Sequence, residues 1–187
     1  QTVHMAGSIT ADAGDKAARF VQFCDAFGIP LVSLVDTGGI MAGPDAERTA
    51  ILRHASRLLV ATARMTVPMV GVVLRRGYGL GAQAMLGGST REPAMTVAWP
   101  GAHMGPMGLE GAVRLAMGKE LDSLPPAERE QRVRELTAAY RTHVDALNVA
   151  RVFEIDDVID PASTRATIAS VLSWVPTVAS GRPVDTW

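Results

Sequence analysis

An α/β fold with a mainly parallel sheet is what the sequence predicts, on three observations. Between residues 14 and 99, short apolar runs of strand length alternate with amphipathic stretches of helix length. Glycine and proline are plentiful, 18 and 11 of 187 residues, and they stand between those runs rather than inside them, which a helical bundle would not require. The connections are short, and short strand–helix–strand connections favour right-handed crossovers and parallel pairing.

The elements follow in chain order. Residues Gly14 to Phe27 place Ala17, Phe20, Val21, Cys24 and Phe27 on one stripe of a helix, which Gly28 closes and Pro30 prevents from continuing. Leu31 to Val35 is a buried-strand run ending in Asp36-Thr37-Gly38-Gly39. A helix opens at Pro44-Asp45, shows Ile51, Leu52, Ala55, Leu58, Leu59 and Thr62 on one face, and ends near Arg64. Pro68 to Leu74 is a strand, Gly77 to Gly81 a glycine cluster, Ala82 to Leu86 the start of a helix, and Thr96 to Trp99 a third strand. Beyond Gly108 the pattern is helical only. Five basic and five acidic residues between Lys119 and Arg141 mark the solvated face of a helix over about 126–144, and Asp160-Pro161 launches a last helix to about Trp174.

Composition removes several classes of function. Net charge is −1, from 18 basic and 19 acidic residues, which gives no grip on a phosphate backbone, so no nucleic-acid partner is expected. The longest apolar stretches, such as Val67 to Leu74, fall far short of the roughly 20 residues that span a bilayer, so no membrane partner is expected either. A single cysteine, Cys24, supports neither a disulfide framework nor a zinc site and fits a reducing, cytoplasmic compartment. His4, His54, His103 and His143 lie scattered without ligand spacing, and no metal is expected. The sequence opens on Gln1, with no initiator methionine or leader, and reads as one domain, residues 1–187, from within something longer.

No nucleophile elbow, Walker lysine loop or paired-acid segment appears. What remains is backbone chemistry. Gly77-Tyr78-Gly79-Leu80-Gly81-Ala82-Gln83-Ala84 joins a strand to a helix whose first N–H groups lack partners, so it forms either an anion pocket or a tight turn that lets strand and helix pack closely. It also satisfies Gly-x-Gly-x-x-Ala, but the acid that a dinucleotide site needs about 20 residues on is missing, since Trp99-Pro100-Gly101 stands there. Gly38-Gly39 ends a strand where α/β sheets gather ligands, although taken alone it is more simply a plain turn. The run from Ala98 to Gly108, with Trp99, Pro100, Met104 and Met107, could wall an apolar slot or fill the core. Cys24 is most simply core.

Six blocks in order, Asp25 to Leu31, Val35 to Gly39, Gly77 to Ala82, Ala98-Trp99-Pro100, Met107 to Val113 and Asp156 to Pro161, strongly resemble the carboxyltransferase β subunits of biotin-dependent acyl-CoA carboxylases of the propionyl-CoA and methylcrotonyl-CoA kind. The resemblance covers nearly the whole chain and corresponds to the C-terminal, biotin-side half of that subunit. It implies a crotonase-like spiral of ββα units with a mainly parallel sheet and C-terminal helices. It also implies a transferase half-site in which the backbone amides of Gly81 and Ala82 hold the ureido oxygen of biotin while carboxybiotin, presented on a carrier protein, gives its carboxyl group to the α-carbon of an acyl-CoA. Gly79, Leu80, Gly38, Gly39, Trp99 and Pro100 would line the biotin and substrate side, and Ala84 falls near the acyl-selectivity position. The implied partners are an N-terminal carboxyltransferase domain that binds CoA, a biotin carboxylase, a biotin carboxyl carrier subunit, and further copies of the subunit in assemblies from a dimer up to a hexamer. Two departures stand out: Asp36-Thr37-Gly38-Gly39-Ile40 replaces the family's Asp-Thr-Pro-Gly-Phe, and His103-Met104-Gly105-Pro106 stands where a glycine pair is often found. Those departures leave a second expectation open, a non-catalytic assembly domain. A third is a crotonase-type hydratase or isomerase, for which Glu110 is the candidate acid.

Overall fold

The computed structural model describes residues 3–185. Helix α1 (Ala11–Phe27) opens on Thr10, whose hydroxyl accepts the Ala13 N–H at 3.3 Å, and closes on Gly28 at φ +68°, the left-handed conformation that costs glycine nothing. Its buried side is Gly14, Ala18, Val21, Cys24 and Asp25. This corrects the expected stripe, because Phe20 and Phe27 are 60% and 65% exposed. The cause is the neighbouring helix: a methyl group on Gly14 would lie 3.1 Å from the His54 carbonyl oxygen, so small residues face inward and the phenylalanines are turned out.

Strand β1 (Leu31–Thr37) follows as expected. The helix expected from Pro44 to Arg64 is two, α2 (Pro44–Arg48) and α3 (Ile51–Arg64), because Ala50 sits at φ +53° and breaks the ladder. The resulting rotation buries Ile51, Ala55, Leu58, Ala61 and Thr62 and leaves Leu52 68% exposed, against expectation.

Strand β2 (Met69–Tyr78) passes through Arg75, Arg76 and Gly77, beyond the expected end at Leu74, and feeds directly into α4 (Gly79–Met85). Strands β3 (Met95–Ala98) and β4 (His103–Gly105) come next, the latter too short for its sequence to announce it. The C-terminal part is α5 (Leu109–Ala116), α6 (Gly118–Asp122), α7 (Pro126–Tyr140), α8 (Ala146–Arg151), β5 (Asp157–Val158) and α9 (Thr164–Trp174). It is therefore not helical only, and α7 stops short of Val144, passing into a single 3₁₀ turn over Arg141–His143. Asp160 caps a 3₁₀ turn ahead of α9, accepting the Ala162 N–H at 2.7 Å.

All ladders are parallel, in the order β1-β2-β3-β5, with β4 beside the C-terminal half of β2. That extra pairing explains why β2 continues: Arg76, Gly77 and Tyr78 pair with His103, Met104 and Gly105, and after a bulge in β1 Thr37 pairs with Gly77. One face carries Leu31 and Met69 against α1, α3 and α4, and Val35 and Val73 against α4 and α8; the other carries Val72, Leu74 and Val97 against Ile159, just after β5, and Ile168 of α9.

The C-terminal segment after α9 is strapped back across α1. Asp25, 5% exposed, accepts the Thr66 and Val67 N–H groups and the Thr66 hydroxyl, and its main-chain carbonyl accepts the Ser180 N–H at 2.9 Å. Burial works to raise the Asp25 pKa, but these donors and the Ser180 hydroxyl outweigh it and hold the carboxyl below its ordinary value. A depressed carboxylate stabilises the fold above its unfolded pKa of about 4 and loses that contribution as pH falls through the lower folded value. Asp25→Asn should therefore lower stability at pH 7 by about 2–3 kcal/mol and flatten the acid limb of the stability profile below about pH 4, as measured by urea unfolding across pH.

Candidate functional site

The site forms where β1 and β2 end. Thr37, fully buried, donates its hydroxyl to the Gly7 carbonyl at 2.7 Å and accepts the Gly39 N–H at 3.1 Å, which bends the chain sharply after β1. Gly39 lies at φ +115°, a conformation that favours glycine, and the Ile9 N–H bonds its carbonyl at 2.9 Å. Ile40 turns inward against the core cluster that includes Ile9, Val21 and Leu58.

The second turn lies against the first. Gly79, at φ +58°, starts α4, and a methyl group on it would stand 2.9 Å from the Pro106 carbonyl oxygen. Gly81 is tighter still: its Cβ would lie 2.7 Å from the Gly39 carbonyl carbon and 2.8 Å from the Gly39 Cα. The two glycine turns, 40 residues apart and read separately from the sequence, are one surface of bare backbone.

That surface has donors. Gly79, Leu80 and Gly81 are the first three residues of α4, whose N–H groups have no acceptor within the helix. The Ala82 N–H is the first in the helical ladder, with the Tyr78 carbonyl as its acceptor in register, so an anion there would share that proton. Leu80 is 58% exposed and stands at the rim, whereas Ala82 is 3% and Ala84 1% exposed. Ala84 packs in the core with Ile9, Leu31 and Met69 rather than on the open side. Trp99 also faces the packing: its indole N–H donates to the Thr164 hydroxyl at 2.9 Å and its ring joins the Val72, Val97 and Ile159 cluster under α9. Pro100 is exposed beside it.

A polar cluster unforeseen in the sequence borders the turns. Asp36 accepts from Arg75 Nε at 3.0 Å and Arg76 Nε at 3.1 Å, and Arg76 also donates to the Ala6 carbonyl at 2.8 Å. His103, beside Arg76 in the β2–β4 ladder, meets an Arg141 guanidinium nitrogen at 3.2 Å through Nε2. Burial and the Arg141 charge hold the His103 pKa down, against a smaller opposing effect of Asp145. Burial raises the pKa of Tyr78, opposed by the charges of Arg76 and Arg141. Glu110, on α5, lines a groove together with Arg141, and its carboxylate is bound by Arg114 at 3.0 Å. Among the described residues no three His, Cys, Asp or Glu side chains converge as a metal site would need.

Comparison with known proteins decides the family, because the carboxyl transferase domain matches residues 1–179. The chain belongs to the carboxyl transferase family. The methylmalonyl-CoA carboxyltransferase 12S subunit of Propionibacterium freudenreichii subsp. shermanii is 41% identical over 181 residues, 96% of this chain and 34% of that one. The biotin-dependent acetyl-/propionyl-coenzyme A carboxylase beta6 subunit of Mycobacterium bovis is 35% identical over 175 residues, covering 93% of this chain and 37% of that one. A solved single-chain, multi-domain long-chain acyl-CoA carboxylase superposes with a TM-score of 0.84 at 50% identity, covering 91% of this chain and 17% of that one. The chain thus spans about a third of the length of these curated relatives. As a carboxyl transferase domain it has the crotonase-like fold expected for it.

The backbone contact makes a paired prediction. Gly81→Ala forces the two turns apart and should cost about 1–3 kcal/mol, while Gly101→Ala, whose methyl group would meet nothing within 4 Å, should change stability by less than about 0.5 kcal/mol. Thermal unfolding of the two variants side by side checks this.

Proposed function

We propose that this chain is the biotin-side half of an acyl-CoA carboxyltransferase and that the joined glycine turns are its catalytic surface. The observation that carries the reading is the row of helix-start amides at Gly79, Leu80 and Gly81, held against Gly39 in a place where no side chain fits. Carboxybiotin, the donor substrate delivered on a carrier protein, develops negative charge on its ureido oxygen as it gives up its carboxyl group. Gly81 and Ala82 direct N–H groups at that charge, and preorganised donors of this kind are typically worth about 3–4 kcal/mol each. Gly38, Gly39 and Leu80 border the slot for the biotin ring, Trp99 and Pro100 brace the strand end beside it, and Ala84 sets the seat of α4 from beneath. The carboxyl group leaves the ureido nitrogen and passes to the α-carbon of an acyl-CoA bound by a complementary N-terminal carboxyltransferase domain, and the α-proton it replaces is taken up by the ureido anion that remains, which regenerates biotin.

No side-chain base is required, which agrees with a site whose nearest carboxylate, Asp36, is already engaged by two arginines. The hydratase or isomerase reading asks for a free acid instead, and Glu110 is tied to Arg114. The working assembly contains the complementary domain, a biotin carboxylase, the carrier subunit and further copies of this chain, in the cytoplasm. The phenylalanines turned outward on α1, Phe20, Phe23 and Phe27, each at least 46% exposed, supply apolar surface for such contacts.

The test combines this chain with a complementary CoA-binding half and measures carboxyl transfer from carboxybiotin to short and long acyl-CoAs. Ala82→Pro, which removes one donor, should lower kcat about 100-fold or more while circular dichroism stays native. Undiminished transfer in a folded Ala82→Pro enzyme would contradict the amide mechanism.

A further inference from the structure

The end of the sheet beside the glycine turns carries three arginines, and they are not equivalent. Arg75 and Arg76 share Asp36, and Arg76 also caps the Ala6 carbonyl, so their charge is spent locally. Arg141 has no carboxylate within salt-bridge distance among the described residues; its contact is the neutral ring nitrogen of His103 at 3.2 Å. Because Arg141 only donates, His103 Nε2 must accept, which leaves the ring proton on Nδ1. That nitrogen is buried and has no partner. A buried N–H without an acceptor is destabilising, a cost the fold bears in keeping this pair.

Arg141 is not a loose surface side chain. It begins the 3₁₀ turn that ends α7, and the segment that follows is sewn to β4 and the residue before it, with Met104 N–H bonding the Val144 carbonyl at 2.8 Å and Ala146 N–H the Ala102 carbonyl at 3.0 Å, while the Asn148 amide holds the segment's own turn through the His143 carbonyl at 3.1 Å. β4 in turn lies in register with β2, His103 beside Arg76 and Gly105 beside Tyr78, and the next residue, Pro106, presses its carbonyl on Gly79. The Arg141 charge is felt at Tyr78, the residue that precedes α4. A cation without a salt-bridge partner among the described residues is therefore held, by main-chain bonds, against β4, the strand whose register with β2 leads into α4.

We propose that Arg141, seated on His103, is the side-chain anchor for the carboxylate of the substrate at the glycine turns. The inference rests on the carboxyltransferase reading and adds to it the residue that tells a carboxylated acyl group from an uncarboxylated one. A planar guanidinium offers two parallel N–H donors to a carboxylate, which an amide row cannot do alone. His103 acts through Arg141 as a positioning residue: a neutral acceptor holds the guanidinium in place without cancelling its charge.

The experiment uses this chain combined with its complementary half and compares binding of methylmalonyl-CoA with that of propionyl-CoA, probes that differ in one carboxylate. Arg141→Gln should weaken methylmalonyl-CoA binding about 10–100-fold and leave propionyl-CoA within twofold, with Arg141→Lys recovering part of the difference. His103→Glu, which places a counter-charge under Arg141, should reduce the same discrimination while the melting temperature holds or rises. Equal losses for both thioesters would place Arg141 on the coenzyme, and no loss for either would make it structural; both results overturn the proposal. Should the unaltered assembly transfer no carboxyl group at all, the carboxyltransferase reading itself fails, whereas transfer with unchanged discrimination in Arg141→Gln defeats only the role of Arg141.

Discussion

Gly81 sits so close to Gly39 that a single methyl group has no place between them, its carbon falling 2.7 Å from a backbone carbonyl carbon. The architecture around the site depends on that contact. It requires β1 to bend hard after Thr37, which the buried hydroxyl achieves by bonding both Gly7 and Gly39. It requires β2 to run straight into α4 with no loop, which the left-handed Gly79 permits. It also fixes the first amides of α4 at the carboxyl ends of parallel strands, the edge at which α/β proteins gather ligands. Neither turn alone would make a preorganised surface, because a flexible glycine loop must be ordered at entropic cost before it can hold charge.

The supporting structure is correspondingly asymmetric. One face of the sheet is packed by α1, α3 and α4 through small and branched residues, and α1 comes in close enough at Gly14 that its aromatic side chains have to face outward. The helical excursion α5 to α7 contributes little to the central core, with Val113, Leu121, Val133 and Leu136 its buried apolar side chains. Its return, however, delivers Arg141 to His103 on β4, the side-chain charge proposed to serve a site otherwise made of backbone. Backbone donors suit a charge that appears and disappears on one oxygen; a guanidinium suits a carboxylate that is present throughout.

Much of this was legible in the sequence. The stop of α1 at Gly28, the start of β1 at Leu31 and the end of α3 at Arg64 follow from glycine, proline and apolar run length, which act locally. Three things were not legible, each for a physical reason. The face that α1 buries is decided by how near α3 can approach, a tertiary effect that outweighs the hydrophobicity of Phe20 and Phe27. β4 and β5, three and two residues long, exist only because longer strands pair with them, so no periodicity marks them. The glycine motifs at 38–39 and 77–81 were both visible, but nothing in their spacing reveals that Gly39 and Gly81 touch, and Arg141 reads in sequence as one more charge on a solvated helix.

The claim at the centre is that the two turns act as one donor surface for biotin. The most direct measurement follows the backbone amide resonances of Gly39, Leu80, Gly81 and Ala82 while biotin methyl ester is titrated into the chain. The account predicts that Gly81 and Gly39 shift together along one binding curve, with the largest downfield change at Gly81. Saturable biotin binding that leaves Gly81 unmoved, or no perturbation of either turn at high biotin, would contradict it.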